Sequence, residues 1–164
     1  MPGTFEVPGT SKDMEHNMNQ PIQPGLFHEI ARTVEERHLA SAWGSGLAPV
    51  LATPMLVTFC EECARLAVDP LLPEGQQTVG TEIHLRHLAA TPAGMAVRLR
   101  AELLEVDGRR LRFHIEAWDP VEKVGEAEHE RFIIDTARFE RRMAEKRAHT
   151  PTVIPSPTEE SRGN

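Results

Sequence analysis

The sequence predicts an α+β fold in which a curved antiparallel sheet wraps around one central helix. Residues 52–69, Ala-Thr-Pro-Met-Leu-Val-Thr-Phe-Cys-Glu-Glu-Cys-Ala-Arg-Leu-Ala-Val-Asp, are apolar around most of a helical circumference, as a helix inside a protein is. From Thr78 the apolar period changes to two and holds through Ile134, broken only by turn signals. The strands so marked each carry one apolar and one charged face, which suits an antiparallel sheet covered on one side.

The elements follow in order. Residues 1–24, rich in Pro, Gly, Asn and Gln, read as a flexible N-terminal arm, and the folded domain occupies 25–136. Phe27–Val34 has the spacing of a first strand. Glu35–Ala42 forms a short helix ended by Trp43-Gly44-Ser45-Gly46, a mobile connection of the kind that covers a site. Thr53-Pro54 starts the central helix, because the Thr hydroxyl can cap an orphan N–H and Pro at the first position loses no bond. Pro70–Gly75 stops it. In Thr78–Leu88, Val79, Thr81, Ile83, Leu85 and His87 share the apolar face, and Gly80, Glu82, His84 and Arg86 the wet one. Met95–Val106 and Arg110–Trp118 alternate likewise and are joined by an Asp107-Gly108 hairpin turn. Val121–Ile134 is the last strand, with Gly125 as a bulge. Asp135 or Thr136 caps an amphipathic helix at 137–149 with Phe139 and Met143 as its buried stripe, and 150–164 is a disordered Pro/Ser/Glu-rich tail. A single curved sheet leaves bare edge strands; pairing two sheets edge to edge about a twofold axis covers them, so a homodimer is expected.

Composition narrows the function. A formal charge of −7 argues against nucleic acid as a partner, since phosphates need a basic face. The most apolar stretch, 47–60, is too short to span a bilayer and is broken by Pro49 and Pro54, so no membrane partner is expected. The N-terminus lacks a basic flank followed by an apolar run, and both cysteines lie in the central helix with no disulfide framework; the expected location is the cytoplasm.

Chemistry concentrates on the central helix. Glu61 and Glu62 sit within its apolar run, and a carboxylate there must be neutralised, paired or used. Neighbours on a helix point about 100° apart, so only one can face inward, and periodicity leaves open which. His87 on the apolar face of the next strand is a partner for it, and a Glu–His pair in a low-dielectric site tunes a base to neutral pH. Cys60-x-x-Cys63 lies in mid-helix rather than at the helix N-terminus where redox pairs gain a low thiol pKa. His84 and His87, three apart on a strand, point to opposite faces, so no metal site is expected.

Ala52-Thr53 opening the helix, Glu61 within it, Val79-Gly80-Thr81, His87-Leu-Ala-Ala-Thr-Pro92, Val106-Asp-Gly-Arg-Arg-Leu111 and His129-Glu-Arg131 occur in an order and spacing that resemble the fluoroacetyl-CoA thioesterase-like branch of the hotdog-fold acyl-CoA thioesterases, over residues 27–135. The resemblance implies a five-stranded sheet around a helix, a homodimer, and hydrolysis of a small acyl-CoA thioester to free acid and CoA without a bound cofactor. It also implies that Thr53, Glu61 and His87 are the catalytic set and that Gly80 and Arg131 border the substrate. Two phenylalanines line the lid of the fluoroacetate-specific member; Gly44 and Leu47 stand at those positions here, so Leu47 is a substrate-side candidate and fluoroacetyl selectivity is not implied. The alternative from another class is a non-catalytic acyl-CoA-binding hotdog module.

Overall fold

The computed structural model describes residues 20–150. Most of the N-terminal arm and nearly all of the C-terminal tail inferred from composition lie outside these residues. Five strands, β1 (Phe27–Thr33), β2 (Gln76–His87), β3 (Ala96–Asp107), β4 (Arg110–Trp118) and β5 (Lys123–Asp135), form one antiparallel sheet in the order β1-β3-β4-β5-β2. Helix α1 (Thr53–Val68) lies against one face, and α2 (Thr136–Ala148) extends from the end of β5. This is the α+β hotdog arrangement. Instead of one short helix, residues 36–43 form two short 3₁₀ turns, Glu36–His38 and Ala40–Trp43.

The core is the apolar stripe of α1 set on the inward side chains of the sheet. Met55, Leu56, Phe59, Cys60, Cys63, Ala64, Ala67 and Val68 are buried, and they recur at the one-, three- and four-residue steps of a helical stripe. They meet Val97, Leu99, Ala101, Leu103, Leu111, Phe113 and Ile115, all fully buried. The helix is less uniformly buried than its composition suggests, because Thr53, Pro54, Thr58 and Arg65 stand exposed on one open flank. The sheet's other face carries cross-strand ion pairs such as Lys123 with Glu116 and Glu126, and Arg86 with Glu126; each adds little alone, being solvent-exposed.

Pairing slips at three places, one of them on β3 between Leu103 and Glu105, and the other two bear on the site and the core. Pairing of β2 with β5 slips at Thr81, between Gly80↔Arg131 and Glu82↔Glu130. Thr78 and Gly80 therefore face α1 before the bulge, while Ile83, Leu85 and His87 face it afterwards. Strict alternation had assigned Val79 and Thr81 to the inner face and Gly80 to the outer one; the extra residue reverses that half of the strand. The second slip, Ala117↔Gly125 followed by Trp118↔Lys123, leaves Val124 as the extra residue. Gly125 itself stays in register and lets α1 approach: a Cβ there would lie 2.9 Å from Leu56 Cδ2. β5 begins at Lys123 because Asp119 Oδ1 accepts from the N–H groups of Val121 and Glu122, drawing both into the turn. Asp135 accepts from Arg138 N and caps α2, but α2 buries no residue: Phe139 and Met143, expected as a buried stripe, are each 37% exposed.

Candidate active site

Thr53 does not cap its helix. Ala52 is the N-cap residue, no side chain caps the N-terminus, and Thr53 occupies the first turn beside Pro54. Its hydroxyl lies instead 2.9 Å from His87 Nδ1, on the last residue of β2. The remaining ring nitrogen, His87 Nε2, is buried and has no hydrogen-bond partner among the described residues. Burial lowers the His87 pKa from its ordinary value, partly offset by the backbone at Ala89, so the neutral imidazole is favoured. A buried nitrogen left unpaired by the protein is costly, and a ligand atom is one way to satisfy it.

Two turns further along α1, the structure separates the two glutamates. Glu62 is held by Arg32 of β1, with Nε 3.0 Å from Oε2 and Nη2 2.5 Å from Oε1. Glu61, half-buried, turns toward the sheet where Gly80 lies: a Cβ on Gly80 would come 2.5 Å from Glu61 Oε1 and 3.2 Å from His129 Cε1. The glycine is thus the gap through which the carboxylate meets β2. The question left open by periodicity is answered by Arg32, thirty positions away, which occupies Glu62.

Beneath Glu61 lies a buried polar chain. Asp69 Oδ1 accepts from Thr78 N at 3.1 Å and from Thr78 Oγ1 at 2.6 Å. Arg131, 5% exposed, donates from Nε to Thr78 Oγ1 at 2.8 Å and from Nη2 to the Thr78 carbonyl at 3.0 Å. Its Nη1 lies 3.2 Å from His129 Nε2, and His129 Nδ1 lies 2.7 Å from the Glu82 carbonyl. Burial lowers the Arg131 pKa, while Asp69 and Glu61 act in the opposite direction. Arg131 is thus a buried cation whose hydrogen bonds go to neutral acceptors, Thr78 and His129.

The expected Glu61–His87 pair does not form within one chain. Glu61 meets β2 at Gly80 and His87 meets α1 at Thr53, eight residues earlier, about 12 Å along a helix axis. The bulge puts both on one face of the sheet without bringing them together. Leu47 is 95% exposed and makes almost no contact in the chain, so it does not border this site within one protomer. Gly44 and Gly46 beside it adopt positive φ of 64° and 150°. The segment is pinned on both sides by the Leu39↔Leu51 bridge and by Ala52 N donating to the His38 carbonyl.

Cys60 and Cys63 are both buried, with thiols pushed up to about 12, chiefly by burial; Cys63 Sγ donates to the His28 carbonyl at 3.3 Å. They are core thiols, not a reactive pair. Among the described residues no three His, Cys, Asp or Glu side chains converge as a metal set. A bay of about 420 Å³ under α2, lined by Arg109, Phe132, Phe139, Arg138 and Arg142 among others, lies at the opposite, outward side of β5 from His129 and Arg131. The polar residue that periodicity singled out least is His129, although a His and an Arg on the inner face of β5 were a signal of a buried polar site.

Residues 34–137 match the family model described as FlK, fluoroacetyl-CoA-specific thioesterase. The fluoroacetyl-CoA thioesterase of Streptantibioticus cattleyicolor is 38% identical over 97 residues, 59% of this chain and 70% of that protein. A solved structure of the fluoroacetyl-CoA thioesterase FlK superposes with a TM-score of 0.72 at 30% identity, over 80% of this chain and 100% of that one. A thioesterase superfamily member from Thermus thermophilus gives the same TM-score of 0.72 at 27% identity, covering 80% and 99%. A hot-dog-like protein from Thermanaerovibrio acidaminovorans, 24% identical with a TM-score of 0.70 over 75% and 91%, shares the fold. With a family match across more than half its length, the chain belongs to the fluoroacetyl-CoA-specific thioesterase family.

Proposed function

We propose that the protein hydrolyses a small acyl-CoA thioester to the free acid and CoA, with Thr53, Glu61 and His87 as its catalytic residues. The observation that carries this is Thr53 Oγ1 held 2.9 Å from His87 Nδ1 while His87 Nε2 is buried and unpartnered among the described residues. If the Thr53 hydroxyl donates to Nδ1, the imidazole proton sits on Nε2. That nitrogen then donates a hydrogen bond to the thioester carbonyl oxygen and steadies the oxyanion, which collapses as the C–S bond breaks and CoA leaves as a thiolate. The N-terminus of α1 adds orphan N–H groups and the positive end of the helix dipole beside the developing oxyanion. Glu61 either takes the proton from the attacking water and passes it to the departing thiolate or solvent, or attacks the carbonyl carbon itself to form a mixed anhydride that water then hydrolyses to the free acid. Solved variants of the fluoroacetyl-CoA thioesterase FlK have been captured with fluoroacetate and CoA and with acetyl-CoA. CoA enters here as part of the substrate, and no bound cofactor takes part in the scheme.

The distance between the two ends of α1 supports a site assembled from two chains. Thr53, Glu61 and the exposed residues Thr58 and Arg65 lie on the open flank of the helix, and β2 is an edge strand. An antiparallel β2–β2 pairing centred between Ile83 and His84 would set His87 of one chain opposite Gly80, and hence Glu61, of the other. The homodimer covers the edge and completes the site in one step. Gly44 and Leu47 put no aromatic rings over the acyl group, so fluorine selectivity is not built into this lid. The absence of any membrane-length apolar helix among the described residues and the unbridged thiols fit a cytoplasmic enzyme.

CoA release from acetyl-, fluoroacetyl- and propionyl-CoA by wild type, Glu61→Gln and His87→Ala tests this. The account expects turnover in the wild type and its loss in both variants. Binding without release in the wild type would overturn the enzyme in favour of an acyl-CoA-binding module. Unchanged release in both variants would overturn the residue assignment.

A further inference from the structure

Arg131 is a buried guanidinium with no carboxylate within ion-pair distance among the described residues, so its neighbours must satisfy it. Two of its donors go to Thr78; the third reaches His129 Nε2 at 3.2 Å. Donor counting fixes the tautomer of that imidazole. The Glu82 carbonyl, 2.7 Å from His129 Nδ1, can only accept, so Nδ1 carries the proton. Nε2 then offers a lone pair and accepts from Arg131 Nη1. His129 thereby ties the position of one backbone carbonyl to the position of a buried cation. That carbonyl belongs to Glu82, where pairing resumes after the bulge that aims Gly80 at Glu61.

We propose that His129 is a positioning residue: its Nε2 lone pair holds Arg131, and with it the field in which the Glu61 carboxylate works, in register with Gly80. The proposal rests on Glu61 being the carboxylate at the reaction centre. Three further observations support it. The His129 ring, 3% exposed, lies with its centroid 6.5 Å from that of Phe113 and its Cε1 3.2 Å from where a Gly80 Cβ would stand, the same point that Glu61 Oε1 approaches. Burial and the neighbouring Arg131 keep the imidazole neutral, against the pull of the Glu82 carbonyl, Glu61 and Glu130, and only the neutral ring can accept from Arg131. Arg65 adds to the positive charge felt at Arg131, so a further cation at His129 would be unfavourable.

Two amide substitutions separate this role from a merely structural one. In His129→Asn the side-chain N–H can reach the Glu82 carbonyl but nothing reaches Arg131. In His129→Gln the longer side chain places its oxygen where Nε2 was and accepts from Arg131. With acetyl-CoA and fluoroacetyl-CoA as probes, His129→Asn lowers kcat about 10²-fold with KM little changed, and His129→Gln loses at least about tenfold less. The reverse order, or equal effects, overturns the proposal. ¹⁵N NMR of the wild-type histidines gives a readout independent of turnover: His129 shows a protonated Nδ1 and an unprotonated Nε2 at neutral pH, and the other tautomer overturns it. Glu61→Gln assayed alongside keeps the two claims apart. An active Glu61→Gln overturns the assignment of Glu61, whereas an inactive one with His129→Asn equal to His129→Gln overturns only the role of His129.

Discussion

At the Thr53 end of α1 the polar groups are few and incompletely bonded, whereas around Glu61 they are many and nearly all engaged. Thr53 and His87 share a single contact and leave one imidazole nitrogen without a partner. Around Glu61, Asp69, Thr78, Arg131 and His129 form a continuous chain from a carboxylate to a backbone carbonyl. An unsatisfied buried group marks where a ligand atom belongs; a satisfied network marks what must not move. The first end leaves a nitrogen open to a ligand atom, and the second braces the strand beneath Glu61 without a hydrogen bond to that carboxylate among the described residues.

This contrast can be broken at either end. Removing the reacting groups has the largest effect: Glu61→Gln lowers kcat by about 10³-fold and His87→Ala by about 10²–10³-fold, measured as thiol release. Neither moves the melting temperature much, since the ion pair with Arg32 is made by Glu62 and not by Glu61, which has none among the described residues, and His87 lies at the end of a strand. The inward glycines sharpen the difference. In Gly80→Ala the new methyl meets the far end of the Glu61 side chain, which moves aside; kcat falls about 10²-fold with little loss of stability. In Gly125→Ala the methyl meets Leu56 in the packed core, so stability falls by about 1–3 kcal/mol while turnover per folded molecule is retained. Denaturant titration beside kinetics separates the two.

The smallest effect is on pH dependence. His28, His87 and His129 all have pKa values lowered by burial below the ordinary 6.5. The unfolded chain therefore takes up protons first as pH falls, and stability declines from about 6.5 through the lowered folded values. Above that window the imidazoles are neutral in both states and this contribution is flat. Melting temperature against pH for wild type and His129→Gln checks it, and the variant should show a shallower acid decline.

Much of this was legible in the sequence. The apolar stripe of α1, the Asp107-Gly108 turn and the two-residue period fix the helix and the hairpins because local burial and turn chemistry act over a few residues. The bulge at Thr81 was not legible, since Val79, Thr81 and Ile83 alternate without a break and the slip depends on which β5 residue lies opposite. The lone Gly80 was the one local hint. Thr53 reads as a cap from local preference, yet His87, thirty-four positions away, takes its hydroxyl. The choice of Glu61 over Glu62 likewise depends on Arg32, and side-chain pairing over such separations leaves no periodic trace. The stripe on α2 read as buried because amphipathicity reveals that a face is apolar, not what covers it.

The central claim, that Glu61 of one chain works with His87 of another, is tested most directly by mixing two inactive variants. Glu61→Gln and His87→Ala, co-expressed and purified together, give dimers of which about half are mixed, and each mixed dimer holds one intact pair. The account predicts recovery of about a quarter of wild-type CoA release from two preparations that are each inactive alone. A mixture as inactive as its components would show that both residues must come from the same chain, and would contradict it.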